Sequence, residues 1–335
     1  MNEKIRWGII GCGDVTEVKS GPGFQKAEGS ELVAVMRRNK NLAQDYASRH
    51  NVSKWYGNAQ DLINDPNVDA VYIATPPSSH KKYVFDAARA GKPVYVEKPM
   101  ALNYRECLDM VAFCEQNNVP LFVAYYRRAL PRFLKIKSLI EEGSVGEVRC
   151  VNTRLRQKPN ENDLSRLENW RTNPSIAGCG YFCDMASHTI DILQFILGEI
   201  KDAKGITGNQ QKLYEAEDIV SASFVFESGV QGTGSWCFSS NQEIDETEIV
   251  GTDGRIVFPT FQLIPTILET NNSREEFDIK NPPHIAQPLI QTIVDELRGV
   301  GSCPSTGRSG ASASRVMDKI LGREKMNTLA PYKYI

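Results

Sequence analysis

In the stretch GCGYFCDMASHTIDILQF, Asp184, His188 and Asp191 stand four and three residues apart. Side chains at those spacings share one face of a helix, so a carboxylate and an imidazole can approach the same point. An imidazole with a carboxylate beside it is suited to taking or giving a proton near neutral pH. The plainer alternative is a helix start whose acids complement its dipole and a histidine that only packs. Cys179 and Cys183 add possible zinc ligands, but the second well-spaced pair that a zinc site uses is missing, so no metal is expected.

A second chemical group lies in VYVEKPM, where Glu97, Lys98 and Pro99 close an apolar run. Ligands of open parallel sheets bind beyond the carboxyl ends of the strands, so a lysine there points into the cleft. Its ammonium can polarise a carbonyl or hold an alkoxide. The proline forces the residue before it into extended geometry and is open to a cis bond.

The third group is GIIGCGDVT, with Gly11, Gly13 and Thr16 in the three places of a dinucleotide fingerprint. The first glycine permits a tight turn and the second lets the backbone approach a pyrophosphate. Asp14 and Val15 then open a helix whose free N–H groups face the phosphates. Thr16 departs from the usual Gly or Ala, which predicts slightly looser helix–strand packing. Where the next strand, ELVAVMR, ends, a carboxylate would hold a ribose 2′-hydroxyl, yet Arg37 and Arg38 stand there, followed by Asn39 and Lys40. Guanidinium groups suit a 2′-phosphate, so the expected cofactor is NADP(H), with NAD open. The plainer alternative is solvent-facing charge after a strand.

These groups need a scaffold. The runs IRWGIIG, ELVAVMR, AVYIAT, PVYVEK and PLFVAYY, with amphipathic stretches between them, predict βαβ units and a parallel sheet over residues 1–125. From 126 to 335 the chain reads as two helices, then three stretches of alternating strands, then two closing helices. The expected fold is α/β: an N-terminal Rossmann parallel sheet and a C-terminal α+β domain built on an open, mostly antiparallel sheet. Trp236 and Phe238, two apart on one strand, face one way and form either core or a dimer face.

A chain of 335 residues suits two domains, and a net charge of −2 gives no electrostatic reason to expect nucleic acid or an anionic membrane as partner. No apolar run is long enough to span a bilayer, and MNEKIRWGIIGCG lacks the pattern of a secretory signal, so a cytoplasmic location is expected. The eight cysteines are scattered, several in apolar runs, and read as free thiols without disulfides.

Together, WGIIGCGDV, VDAVYIATPPSSH, YVEKPMALN, AYYRRALP, NWRTNPSIAGCGYFCDMASHTIDILQFILG and EIVGTDGRIVF resemble the Gfo/Idh/MocA oxidoreductases from end to end. The resemblance implies that Lys98 contacts the reacting oxygen, that His188 is general acid or base, and that Asp184 binds substrate hydroxyls and orients the histidine. It further implies that Thr75, Pro76, Pro77, His80 and Glu97 lie along the cofactor, with Arg127, Trp170 and Arg171 near it and Tyr126 near the substrate. A sugar-like substrate and a homodimer or homotetramer are the implied partners. Two rival functions stay open: an NAD-linked glycoside hydrolase that oxidises its sugar transiently, and a non-catalytic dinucleotide or sugar sensor.

Overall fold

The computed structural model describes residues 4–323; residues 1–3 and 324–335, the outer ends of the two expected domains, lie outside the described residues. The chain forms two compact units. In the first, the N-terminal stretch through Ala101 is joined by Glu106–Lys135 and Lys280–Ala311. The second gathers Leu102–Arg105, Ile136–Ile279 and the stretch from Ser312 onward. Residues 280–311, well beyond position 125, therefore pack in the first unit.

Six strands make the first unit's sheet: β1 (Ile5–Ile10), β2 (Ser30–Met36), β3 (Lys54–Tyr56), β4 (Ala70–Ile73), β5 (Val94–Val96) and β6 (Leu121–Val123). Their order is β3-β2-β1-β4-β5-β6, with every pairing parallel. The strand order reverses between β1 and β4, the switch point at which such sheets bind ligands. The strands are near-continuous apolar runs because helices cover both faces. On one face, Tyr72, Tyr95 and Phe122 stand opposite one another on β4, β5 and β6. Trp7 meets Phe24, Phe24 meets Tyr72 and Tyr72 stacks on Tyr95, at centroid separations of 4.8, 5.2 and 4.8 Å. The helix Gln287–Leu297 closes this layer with Leu289, Ile290, Ile293 and Val294, all fully buried. Burial of each such side chain contributes about 1.5–3 kcal/mol as an upper estimate.

The second unit is built on eight strands: β7 (Val148–Arg156), β8 (Ile200–Gly208), β9 (Ile219–Phe226), β10 (Gln231–Cys237), β11 (Ile244–Gly251), β12 (Gly254–Phe258), β13 (Thr266–Thr270) and β14 (Arg274–Phe277). The order is β14-β13-β12-β11-β7-β10-β9-β8, and only β7 and β10 run parallel. This is the mixed, largely antiparallel sheet that the sequence implies. Strand burial alternates, with Val220, Ala222, Phe224 and Phe226 of β9 inside and Ser221 and Ser223 outside. Trp236 and Phe238 are core residues, meeting Phe182 and Tyr181 of the helix Tyr181–Leu197. Gly234 makes room for the Trp236 ring, since a β-carbon there would collide with it. One expectation fails: Cys179 and Cys183 are joined as a disulfide, across a spacing that puts both on one side of the helix start. The remaining cysteines are free thiols.

Candidate active site

In the first unit, five strand ends converge on one edge of the sheet. Gly11 follows β1, Arg37 follows β2, Thr75 lies just past β4, Glu97 follows β5 and Tyr126 lies just past β6. Parallel pairing makes this the carboxyl edge for all five.

Gly11 has φ +92°, and a β-carbon there would sit 2.7 Å from the Thr75 methyl and 3.0 Å from the Ala74 carbonyl oxygen, so both conformation and space require glycine. A β-carbon at Gly13 would have Gly11 O, at 3.9 Å, as its nearest neighbour, which leaves that side of the loop open to a ligand. Thr16 is fully buried, and its hydroxyl donates to Gly13 O at 2.7 Å. The hydroxyl is thus accommodated inside the turn. Exposed Asp14 and half-buried Val15 begin the helical stretch, which continues as one wide turn over Thr16–Ser20.

Arg37 is half-buried and Arg38 exposed, and neither guanidinium makes a hydrogen bond or ion pair among the described residues. Asn39 is committed elsewhere: its side-chain oxygen accepts from the N–H groups of Asn41 and Leu42, capping the helix Lys40–Arg49.

After β4, Thr75, Pro76 and Pro77 form the turn, with the Ser79 hydroxyl donating to the Thr75 hydroxyl oxygen at 2.7 Å. His80 is completely buried, its Nε2 2.6 Å from Thr75 O and its Nδ1 3.1 Å from Met100 O. Burial lowers its pKa, and a neutral ring donates through one nitrogen only. His80 therefore sits between the Thr75 turn and the segment after β5 and, as a neutral ring, donates to one of the two carbonyls.

After β5, the Tyr72 hydroxyl donates to Glu97 Oε1 at 2.5 Å while Glu97 Oε2 accepts the Lys98 backbone N–H at 3.1 Å. The Lys98–Pro99 bond is cis. Burial pushes the Glu97 pKa up; the neighbouring Lys98 charge, the Tyr72 hydroxyl and Lys19 pull the other way. Lys98 is half-buried. Past β6, buried Arg127 lies over the Tyr126 ring, 5.0 Å from its centroid.

In the second unit, Asp184 occupies the first turn of the helix Tyr181–Leu197, with His188 one turn on; His188 and Asp191 are buried. The backbone N–H of Gly180 donates to Glu217 Oε1 at 3.2 Å, giving the helix start an acceptor. Asp184 pairs with Arg171 at 3.6 Å, and Arg171 lies 4.5 Å from the centroid of Trp170. Both belong to the short turn Trp170–Thr172, which Asn169 caps by accepting from Arg171 N–H. On its far side the loop is anchored by Tyr181, whose hydroxyl donates to buried Asp163 and accepts from Asn160 and Asn169.

Known proteins match this arrangement. A family profile described as an oxidoreductase family with an NAD-binding Rossmann fold matches residues 5–125, and the GFO/IDH/MocA C-terminal domain matches residues 133–257. "Oxidoreductase P35" of Formosa agariphila is 42% identical over 96% of this chain and its own whole length. The chain belongs to the Gfo/Idh/MocA oxidoreductase family. Mouse trans-1,2-dihydrobenzene-1,2-diol dehydrogenase is 31% identical over 82% of this chain and 80% of its own. The aldose–aldose oxidoreductase of Caulobacter crescentus, solved with glycerol, shares the fold at TM-score 0.86, 22% identity and coverage of 96% and 98%.

A dinucleotide of the kind this Gfo/Idh/MocA fold binds suits the first unit, because Gly13 leaves room beside the loop at the carboxyl edge of the sheet. Sequence reasoning missed several residues at these sites. Tyr72, Asp163 and Tyr181 act through contacts that only the fold creates. So does Phe261, whose ring lies 6.0 Å from that of His188 at 73°.

Proposed function

We propose that this chain is an NADP(H)-preferring oxidoreductase that moves a hydride between the nicotinamide ring and a carbonyl or secondary alcohol of a sugar-like or cyclic polyol substrate. The observation that carries this reading is Lys98, set directly after the tyrosine-held Glu97 on the sheet edge that also bears Gly11 and Arg37. The unpaired guanidinium groups of Arg37 and Arg38 support the phosphorylated cofactor over NAD. The name of the mouse relative supports a cyclic diol as one substrate class.

Bound nicotinamide supplies the hydride in the reducing direction and receives it in the other. The Lys98 ammonium draws electron density from the substrate oxygen, which makes its carbon a better hydride acceptor. His188, as imidazolium, gives its proton to the forming alkoxide; in oxidation the neutral ring takes it back. Asp184 accepts hydrogen bonds from substrate hydroxyls and keeps the imidazole turned towards them. Gly11, Gly13, Asp14 and Val15 carry the pyrophosphate, and Thr75, Pro76 and Pro77 carry the nicotinamide side, with Arg127, Trp170 and Arg171 beside the cofactor and Tyr126 beside the substrate. His80 supports the Thr75 turn from inside. Residues 1–125, with the helix Gln287–Leu297 packed on their sheet, then form the dinucleotide domain, and the rest of 126–335 the substrate and oligomer domain of a cytoplasmic homodimer or homotetramer.

The test is a panel of keto-sugars, sugars and cyclic diols assayed with NADPH and NADH, read by nicotinamide fluorescence, with Lys98→Met as control. Wild type should turn over a panel member faster with NADPH, with net cofactor conversion. The variant should lose about a thousandfold in kcat while binding NADPH almost as well. Unchanged turnover in the variant would refute the assignment, and cofactor that is never consumed would point to the redox-neutral hydrolase.

A further inference from the structure

The connection between β12 and β13, residues 259–265, reads PTFQLIP, with a proline at each end. Its middle is clamped by one side chain. Asp245, at the start of β11, accepts the N–H of Thr260 through Oδ1 at 2.9 Å, and those of Phe261 and Gln262 through Oδ2 at 2.6 and 2.7 Å. Three successive N–H groups on one carboxylate fix the local backbone as an anion-holding nest does. The two prolines remove further freedom. A connection held this firmly aims its side chains, and the one it aims at the chemistry is Phe261, edge-on to His188. Phe261 is half-buried, so part of its ring stays open. Beyond it, Leu263 and Ile264 are 62% and 54% exposed, extending the apolar character of the loop outward.

A side chain that only filled core would have no reason to be held beside the imidazole by so polar an anchor. A flat apolar ring in that place suits the C–H face of a ring substrate, whereas an open-chain diol presents no comparable face.

We infer that Phe261 is a specificity-determining residue of the proposed reaction: fixed beside His188 through Asp245, it takes the carbon face of a cyclic substrate and favours rings over open chains. This rests on the role given to His188 above. Asp245 is a positioning residue that acts through Phe261.

The full-length protein is assayed with NADP+ on trans-cyclohexane-1,2-diol and on butane-2,3-diol, which share the vicinal diol but differ in the ring. Wild type prefers the cyclic diol in kcat/KM. Phe261→Ala lowers the cyclic-to-open ratio about tenfold, mostly through KM, and Phe261→Tyr restores it. Calorimetry shows the cyclic diol bound more weakly by Phe261→Ala and NADPH bound as before. Asp245→Asn lowers the same ratio, whereas a merely structural role would lower both diols by one factor. A ratio unchanged within about twofold in Phe261→Ala, or wild type that neither binds nor oxidises the cyclic diol, overturns the inference. His188→Asn separates the two claims: full turnover there would sink the proposed reaction, while the calorimetric arm still judges Phe261.

Discussion

Each unit sets a carboxylate close to its candidate catalytic group, but by opposite means. In the first, Glu97 is gripped by Tyr72, which is itself stacked in the core on Tyr95, so the position of Lys98 is tied to the interior of a parallel sheet. In the second, Asp184 meets Arg171, a side chain 47% exposed on a short loop turn, at a loose 3.6 Å. The first acid's partner is locked in the core, whereas the Arg171 contact of the second is one that water can screen. The contrast implies that disturbances of the first unit's core alter chemistry directly, whereas disturbances at the Asp184 pair are absorbed.

The largest expected effect removes the imidazole itself. His188→Asn should cut kcat by about a hundred- to ten-thousandfold with little change in NADPH affinity, measured by stopped-flow turnover and fluorescence titration. Equal losses in both quantities would show that the histidine merely packs. Next comes the far end of the cofactor. Arg37→Ala with Arg38→Ala should weaken NADPH binding about ten- to a hundredfold and leave NADH within about threefold, so that a common loss for both would remove the phosphate argument.

A subtler change asks whether the core speaks to the chemistry. Tyr72→Phe keeps the ring and deletes one hydrogen bond that favours ionised Glu97. Burial already raises this pKa, so losing the bond raises it further, and protonation then sets in at higher pH. The acidic limb of the kcat/KM profile should move up by about one pH unit, in keeping with a charge-assisted bond of about 1.5–3 kcal/mol. A profile that falls without shifting would make Tyr72 a packing residue only. The smallest effect is expected at the screened pair: Arg171→Ala should change kcat/KM no more than about fivefold. A hundredfold loss there would reverse the contrast between the units.

Much of the first unit was legible in the sequence because its strands are continuous apolar runs and its glycines sit at fixed offsets from them. What failed there was short or distant. β3 spans only Lys54–Tyr56 and carries a partly exposed Trp55, too little for a periodic signal. The helix Gln287–Leu297 was visible as a helix, but no local pattern says which sheet it covers. In the second unit, β7 and β8 were overlooked. VRCVNTRLR hides its buried Val151, Thr153 and Leu155 between arginines, and β8 buries only Ile200 and Ala203. Lys98, Asp184 and His188 stand out in the sequence as candidates by type and spacing. Tyr72, Asp245 and Phe261 do not, because their contacts depend on strand register and on a loop clamped from another strand. Cys179 and Cys183 showed their spacing plainly, yet nothing in it distinguished two thiols from the disulfide.

The helix Gln287–Leu297 also has a consequence for synthesis. Four of its side chains complete a layer whose other members, Ala286 and Cys303 apart, were laid down before residue 130. On the ribosome, the aromatic side of the Rossmann sheet therefore waits, unroofed, while nearly half of the polypeptide is still being made. A gene fragment cut after the last parallel strand would deliver that waiting surface permanently to solvent, an open invitation to aggregation rather than a free-standing nucleotide-binding module.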